Sequence, residues 1–260
     1  MVDHLDGSEP EPPPLLEVRN ITRCFGPVTA LEGVSFAVGE REIVGMLGDN
    51  GAGKSTMVKI LSGVQQSDEG TVFWSGDAVS LNNRGAAHRL GIETVFQDSA
   101  LVDSMSVMRN IFLGREIHGR LGGMRMKEMR RITKSVLESI ITVEGIDSPD
   151  KMVGSLSGGQ KQAVAIARAV HFNRRLLILD EPTAALAVRA TEALFDYVRL
   201  VRDQGVSSIL VTHNLFDAYR ICDRFVVLAH GYKIFDARKE TLTLPELSEL
   251  VSRSVVAEPS

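Results

Sequence analysis

Glu42-Ile43-Val44-Gly45-Met46-Leu47 runs without a break into Gly48-Asp49-Asn50-Gly51-Ala52-Gly53-Lys54-Ser55-Thr56, and an apolar helical stretch with Val58, Ile60 and Leu61 follows. Strand, glycine-rich loop and helix in that order are the setting in which GxxxxGK[ST] cradles phosphate. Glycines at 48, 51 and 53 let the backbone curl until successive N–H groups point at phosphate oxygens, and the following helix adds its positive N-terminal end. The spacing puts Lys54 within reach of β- and γ-phosphates and offers the Ser55 hydroxyl to Mg²⁺. Gly48, Asp49, Asn50, Gly51, Ala52, Gly53, Lys54, Ser55 and Thr56 are therefore the candidate phosphate site.

Outward from this loop, short apolar runs rich in β-branched residues predict strands at Leu15 to Ile21, Val34 to Val38, Thr71 to Trp74 and Ile92 to Phe96. Beyond Gln97 the spacing turns helical, with Met129, Ile132, Val136, Leu137 and Ile140 on one face, until a glycine-rich interruption at Ser157 to Gly159. This predicts a helical insert. Leu176 to Leu179, Ser208 to Val211 and Phe225 to Leu228 read as buried strands, with a helix carrying Leu194, Tyr197, Val198 and Val201 between the first two. Strand, helix, strand implies a parallel sheet covered on both faces. Leu244 to Val251 predicts a short amphipathic helix, with fraying after Arg253. Met1 to Pro14 holds four of the nine prolines and little that could pack, and is expected to be a disordered leader. The expected divisions are 1–14 as leader, 15–253 as one domain with a helical subdomain at about 98–170, and 254–260 as tail.

Composition narrows the class. The 260 residues are 44% hydrophobic and 24% charged, and the longest stretch without Asp, Glu, Lys or Arg, Gln204 to Phe216, is too short to span a bilayer as a helix. The acidic N-terminus lacks the basic and apolar regions of a secretory signal. The chain is expected in the cytosol or held at a membrane by a partner. A net charge of -4 argues against nucleic acid as the main partner. Cys24 and Cys222, far apart in sequence, read as reduced thiols.

Two further stretches carry chemistry. Leu176-Leu177-Ile178-Leu179 ends in Asp180-Glu181, and a buried parallel strand delivers its C-terminal end to the ligand crevice. Asp180 fits the Mg²⁺ partner of a phosphate loop, and Glu181 fits the base that polarises attacking water. Leu156-Ser157-Gly158-Gly159-Gln160 caps a helix with Val164, Ile166, Ala167 and Val170, a second anion site lying in the helical insert.

With its unsubstituted LSGGQ string, the chain resembles the ATP-binding-cassette (ABC) ATPases from Leu15 to about Arg253. The resemblance implies an α/β fold: a P-loop NTPase core with a mainly parallel sheet, an antiparallel β subdomain and a helical insert carrying the signature. It assigns Phe25 to stacking on adenine, Gln97 to sensing Mg²⁺ and the attacking water, and His213 to the γ-phosphate. It further implies a head-to-tail pair of cassettes enclosing two ATP molecules. Each ATP would be held by Lys54, Ser55, Asp180, Gln97 and His213 of one cassette and by Ser157 and Gly159 of the other. Within the family, Gly91 to Asp98, Asn110 to Glu116 and Ala163 to Ala169 look like the ATPases of ribose-, xylose- and fructose-type importers, here in single-cassette form and without a C-terminal regulatory domain. The implied partners are a second cassette, transmembrane permease subunits and, indirectly, an extracellular sugar-binding protein, with the chain at the cytoplasmic face of the membrane. Leu101, Val102, Met105, Val107 and Met108 are expected to border the permease's docking groove. One departure is Ala187, which stands where most of these ATPases have an aspartate. Two alternatives stay open: a soluble ABC ATPase handling nucleic acid or ribosomes, and the ATPase of a non-sugar transporter.

Overall fold

The computed structural model describes residues 12–96, 101–120, 122–140, 146–171, 174–184 and 186–256. Gln97 and most of the expected leader lie outside them, as do the side chains of Ile140 and Val170.

Ten strands form two sheets among the described residues. The first is antiparallel and built from β1 (Leu16–Phe25), β2 (Val28–Val38), β4 (Glu69–Trp74) and β5 (Asp77–Val79), in the order β2-β1-β4-β5. The second takes β3 (Ile43–Leu47), β6 (Ile92–Val95), β7 (Leu176–Asp180), β8 (Ser207–Thr212), β9 (Arg224–Ala229) and β10 (Tyr232–Arg238), in the order β10-β9-β3-β8-β7-β6. Its neighbours run parallel except for β10, which closes one edge antiparallel to β9. The helices are α1 (Lys54–Leu61), α2 (Arg84–Leu90), α3 (Val107–Ile111), α4 (Met126–Ile140), α5 (Gly158–His171), α6 (Val188–Asp203), α7 (Leu215–Ile221) and α8 (Leu244–Val256).

Every residue of β3, β7 and β8 is buried, as expected for central parallel strands covered on both faces. The alternation of a strand then divides them between two cores. Val44, Met46, Leu176, Ile178, Ile209, Val211, Val226 and Leu228 face the antiparallel sheet and α1. Ile43, Leu47, Leu177, Leu179, Leu210, Phe225 and Val227 face the other way, onto residues of α3 to α8. The helical segment after residue 101 therefore shares its core with the underside of the sheet.

The structure departs from the sequence reading in several places. β1 and β2 are longer than their apolar runs, because a hairpin through Gly26 and Pro27 pairs exposed residues that carry no apolar pattern. The edge strands β5 and β10 and the helix α2 are mostly solvent-facing and were not anticipated. α8 continues past Arg253 to Val256, where Arg253 pairs with Glu249 one turn back. Val107 and Met108, expected on a docking groove, are wholly buried in the core. Fully buried Asn110 fixes the loop that precedes them: its side chain accepts from the Val102 N–H and donates to the carbonyls of Val102 and Ser106.

Candidate nucleotide site

The register of the parallel sheet assembles the site. Leu47 lies beside Thr212 and Val211 beside Asp180, so the chain leaves β3, β7 and β8 at one level. The loop after β3, the Asp180-Glu181 pair and His213 thus converge without any long connection. They line a cleft of about 440 Å³ together with Phe25, Val28, Thr29 and Ala30 from the β1–β2 hairpin. From the candidate phosphate loop, Asp49, Asn50, Gly51, Ala52, Gly53, Lys54, Ser55 and Thr56 all reach it.

The loop needs glycine where it is tightest. Gly48 has φ +145°, and a Cβ there would stand 2.1 Å from the Leu228 carbonyl oxygen. Gly53, at φ +102°, would put a Cβ 2.6 Å from the Ala30 carbonyl oxygen. Gly53 is also the residue that opens α1, and it brings no side chain to cap the helix, leaving the first-turn N–H groups for a ligand. Lys54 is buried and donates from Nζ to the carbonyls of Gly48 at 2.7 Å and Asp49 at 2.9 Å. Burial pulls its ammonium pKa down, and Glu181, Asp180 and Asp49 pull against that.

At the end of β7, Asp180 is only 7% exposed. Burial, and then the neighbouring Glu181 charge, push its pKa up to about 6, against the pull of Lys54 and Lys59. Glu181 sits at φ +48°, an uncommon conformation for a residue with a Cβ. Its N–H donates to the Val211 carbonyl at 2.9 Å, holding the turn against β8. One carboxylate oxygen accepts from the His213 N–H at 3.1 Å and lies 2.8 Å from His213 Nδ1; the other accepts from the Thr212 hydroxyl at 3.3 Å. A carboxylate against Nδ1 fixes the proton there and leaves Nε2 for the cleft.

Ser157 and Gly159 stand apart from this cleft, at the start of α5. Ser157 Oγ accepts from the Gln160 N–H at 3.3 Å, and Gln160 Oε1 accepts from the Ser157 N–H at 2.9 Å. This reciprocal cap keeps the turn in shape with no ligand's help. Gln97 falls outside the described residues. The sequence reading missed Val28, Thr29 and Ala30, and the signal that could have found them was the aromatic-Gly-Pro turn that folds them back beside Phe25.

Residues 31–184 match the ABC transporter family. The chain is 40% identical to the xylose/arabinose import ATP-binding protein XylG of Sulfolobus acidocaldarius over 92% of its own length and 94% of that protein's. This chain belongs to the ABC transporter family. It is 44% identical to the ribose import ATP-binding protein RbsA of Chromobacterium violaceum over 82% of its length, but spans only 42% of that protein. Among solved structures it superposes on the dimeric post-hydrolysis state of the ABC cassette MJ0796 bound to ADP and Pi, with a TM-score of 0.75, 26% identity, 86% of this chain and 98% of that one. As an ABC cassette the chain binds nucleotide and hydrolyses ATP. No helix among its described residues is long and apolar enough to cross a membrane.

Proposed function

We propose that this chain is the ATP-hydrolysing subunit of a monosaccharide importer, one of two cassettes docked on a transmembrane permease at the cytoplasmic face of the membrane. The observation that carries the sugar is the identity to the xylose/arabinose import protein across nearly the whole of both chains. A net charge of -4 speaks against the nucleic-acid alternative.

In this reading the loop from Gly48 to Thr56 wraps the triphosphate, and Lys54 exchanges its two backbone carbonyls for β- and γ-phosphate oxygens. Adenine stacks on Phe25. Glu181 accepts the proton of the attacking water, and His213, held by Glu181 through Nδ1, turns Nε2 to the γ-phosphate. Gln97 is assigned to the same water and metal. Ser157 and Gly159 of the second cassette cover the other side of the phosphates.

The donor set fits Mg²⁺. An ion that arrives on a triphosphate takes most of its ligands from phosphate and water, and needs only one or two protein oxygens. The Ser55 hydroxyl and the Asp180 carboxylate, which both line the cleft, would supply them, and a divalent ion there would offset the two neighbouring negative charges of Asp180 and Glu181. Bound there, the ion would draw charge from the phosphate oxygens.

For the permease we assign a second cavity, of about 250 Å³, lined by Arg84, His88, Phe96, Leu113, Arg115 and Arg168 among others. Leu113 is 40% exposed there. A sugar-binding protein outside the membrane would choose the solute.

The test is reconstitution of the chain with its permease and binding protein in vesicles, with xylose, arabinose and ribose supplied in turn. Uptake of one of them, with ATPase stimulated by it and lost in Lys54→Ala, is the expected result. Hydrolysis that responds to none of these sugars but to another class of solute would replace the sugar reading.

A further inference from the structure

The cleft wall at Phe25 has a support that the roles assigned so far do not use. Phe25 closes the β1–β2 hairpin, 47% exposed, where Cys24 pairs with Thr29 and Phe25 with Val28. Two residues back, on the same face of β1, Arg23 lays its guanidinium carbon 5.0 Å from the centre of the Phe25 ring. Arg23 packs over one face of the ring and is not itself among the residues that line the cleft. Its Nη1 pairs with Asp68 Oδ1, while its Nε is shielded from solvent with no hydrogen-bond partner. The π face of the ring is the favourable surface available to that end of the group.

Asp68 in turn grips three consecutive residues of β1. Besides the ion pair with Arg23, Oδ2 accepts from the Cys24 N–H at 2.7 Å, and the Asp68 N–H donates to the Thr22 carbonyl at 2.9 Å. The Cys24 hydrogen bond holds the Asp68 carboxyl below the usual range. The carboxylate is therefore a fixed anchor, and the cation it holds fixes the ring.

We propose that Arg23 and Asp68 are positioning residues for the nucleotide base: Asp68 anchors Arg23, and Arg23 backs the Phe25 ring so that its cleft-side face is ready for the purine. This rests on the reading of Phe25 as the adenine contact. A ring already held loses little freedom when the base arrives, and a cation behind it draws π density away from the face that an electron-rich purine approaches.

The support acts on the base alone, so the test compares ligands with and without one. Affinities for ATP and for inorganic tripolyphosphate are measured by titration on wild type, Arg23→Met, Arg23→Lys, Asp68→Asn and Phe25→Ala. Arg23→Met is expected to weaken ATP about threefold to tenfold, the scale of one aromatic stacking contact, with tripolyphosphate changed less than about twofold. Arg23→Lys, which keeps a cation able to reach Asp68 and the ring, is expected to stay within about threefold of wild type. Adding Arg23→Met to Phe25→Ala is expected to cost nothing more. Equal loss of both ligands, or an Arg23 effect that survives in the Phe25→Ala background, would overturn the proposal. Should Arg23→Met fail to fold, Asp68→Asn carries the same comparison, with ATP-selective weakening expected and ligand-independent weakening against it. Wild type that gains nothing from the base would overturn the stacking role of Phe25 itself, and the proposal with it.

Discussion

Glu181 keeps a left-handed backbone at a cost of about 1 to 3 kcal/mol, and the hydrogen bonds from Val211's neighbours Thr212 and His213 are what hold its carboxylate in one place. Glutamine has the same shape, and its one carbonyl oxygen can still accept from His213 while its amide N–H turns to the Thr212 hydroxyl as a donor, but it cannot take a proton. Glu181→Gln should bind ATP near wild-type affinity, hydrolyse it at least about a hundredfold more slowly, and accumulate as an ATP-bound dimer on size-exclusion chromatography. Near-normal turnover would remove Glu181 from the role of base. Asp180 makes a different prediction, about pH. Its folded pKa of about 6 exceeds its value in the unfolded chain, so the native state holds the proton more tightly. Stability of the nucleotide-free protein should fall as pH rises from about 4 to about 6, by up to about 3 kcal/mol from this group. Asp180→Asn should then be more stable than wild type at pH 7.5 in denaturant titrations, with the gap closing near pH 4. The strained φ of Glu181 and the burial of Asp180 were not legible in Leu179-Asp180-Glu181. The pattern placed two acids at a strand end, and only the packing of β8 against that turn decides which is buried and which is braced.

At the scale of elements, α6 begins without a cap. Ala187 has N-cap geometry, φ -71° and ψ 157°, but no side chain that could accept from the first-turn N–H groups, and that turn holds no acid. Ala187→Asp should stabilise the isolated cassette by about 1 kcal/mol, seen as a higher urea midpoint with unchanged slope. Nucleotide affinity of the monomer should stay as it was, since Ala187 does not line the cleft. Unchanged stability with altered affinity would instead tie this position to the nucleotide. The buried strands β3, β7 and β8 were legible because both faces of each must be apolar. The edge strands β5 and β10 and the exposed helix α2 were not, because a solvent-facing element leaves no comparable period. The hairpin arm that carries Phe25 was illegible for the same reason: it is held by backbone pairing and by Asp68, which precedes the neighbouring strand β4.

Across the whole molecule, the phosphate loop lines the cleft and the Ser157 turn does not, though both belong to one chain. If a second cassette brings its own Ser157 turn to this cleft, two different defects should complement each other. Lys54→Ala and Ser157→Arg chains should each be inactive alone. Mixed one to one, half the dimers would be mixed and each would carry one intact site of two, so about a quarter of the wild-type rate should return if the sites act independently. No recovery, together with specific activity independent of protein concentration, would mean that each chain works alone.

The helical segment after residue 101 has no core to itself: Val107, Ile111, Met129 and Val164 pack in one continuous body with Leu177, Leu179 and Phe225 from the underside of the sheet. Such an arrangement favours small sliding steps over a free swing on a hinge. A displacement of the Ser157 turn relative to the phosphate loop is then expected as a shear, in which close-packed side chains slide past one another between alternative packings. The same interdigitation that stabilises the protein is then its gearing, and the bulk of side chains such as Phe112, buried in that core and not among the residues lining the nucleotide cleft, would govern how easily the two halves of the mechanism move against each other.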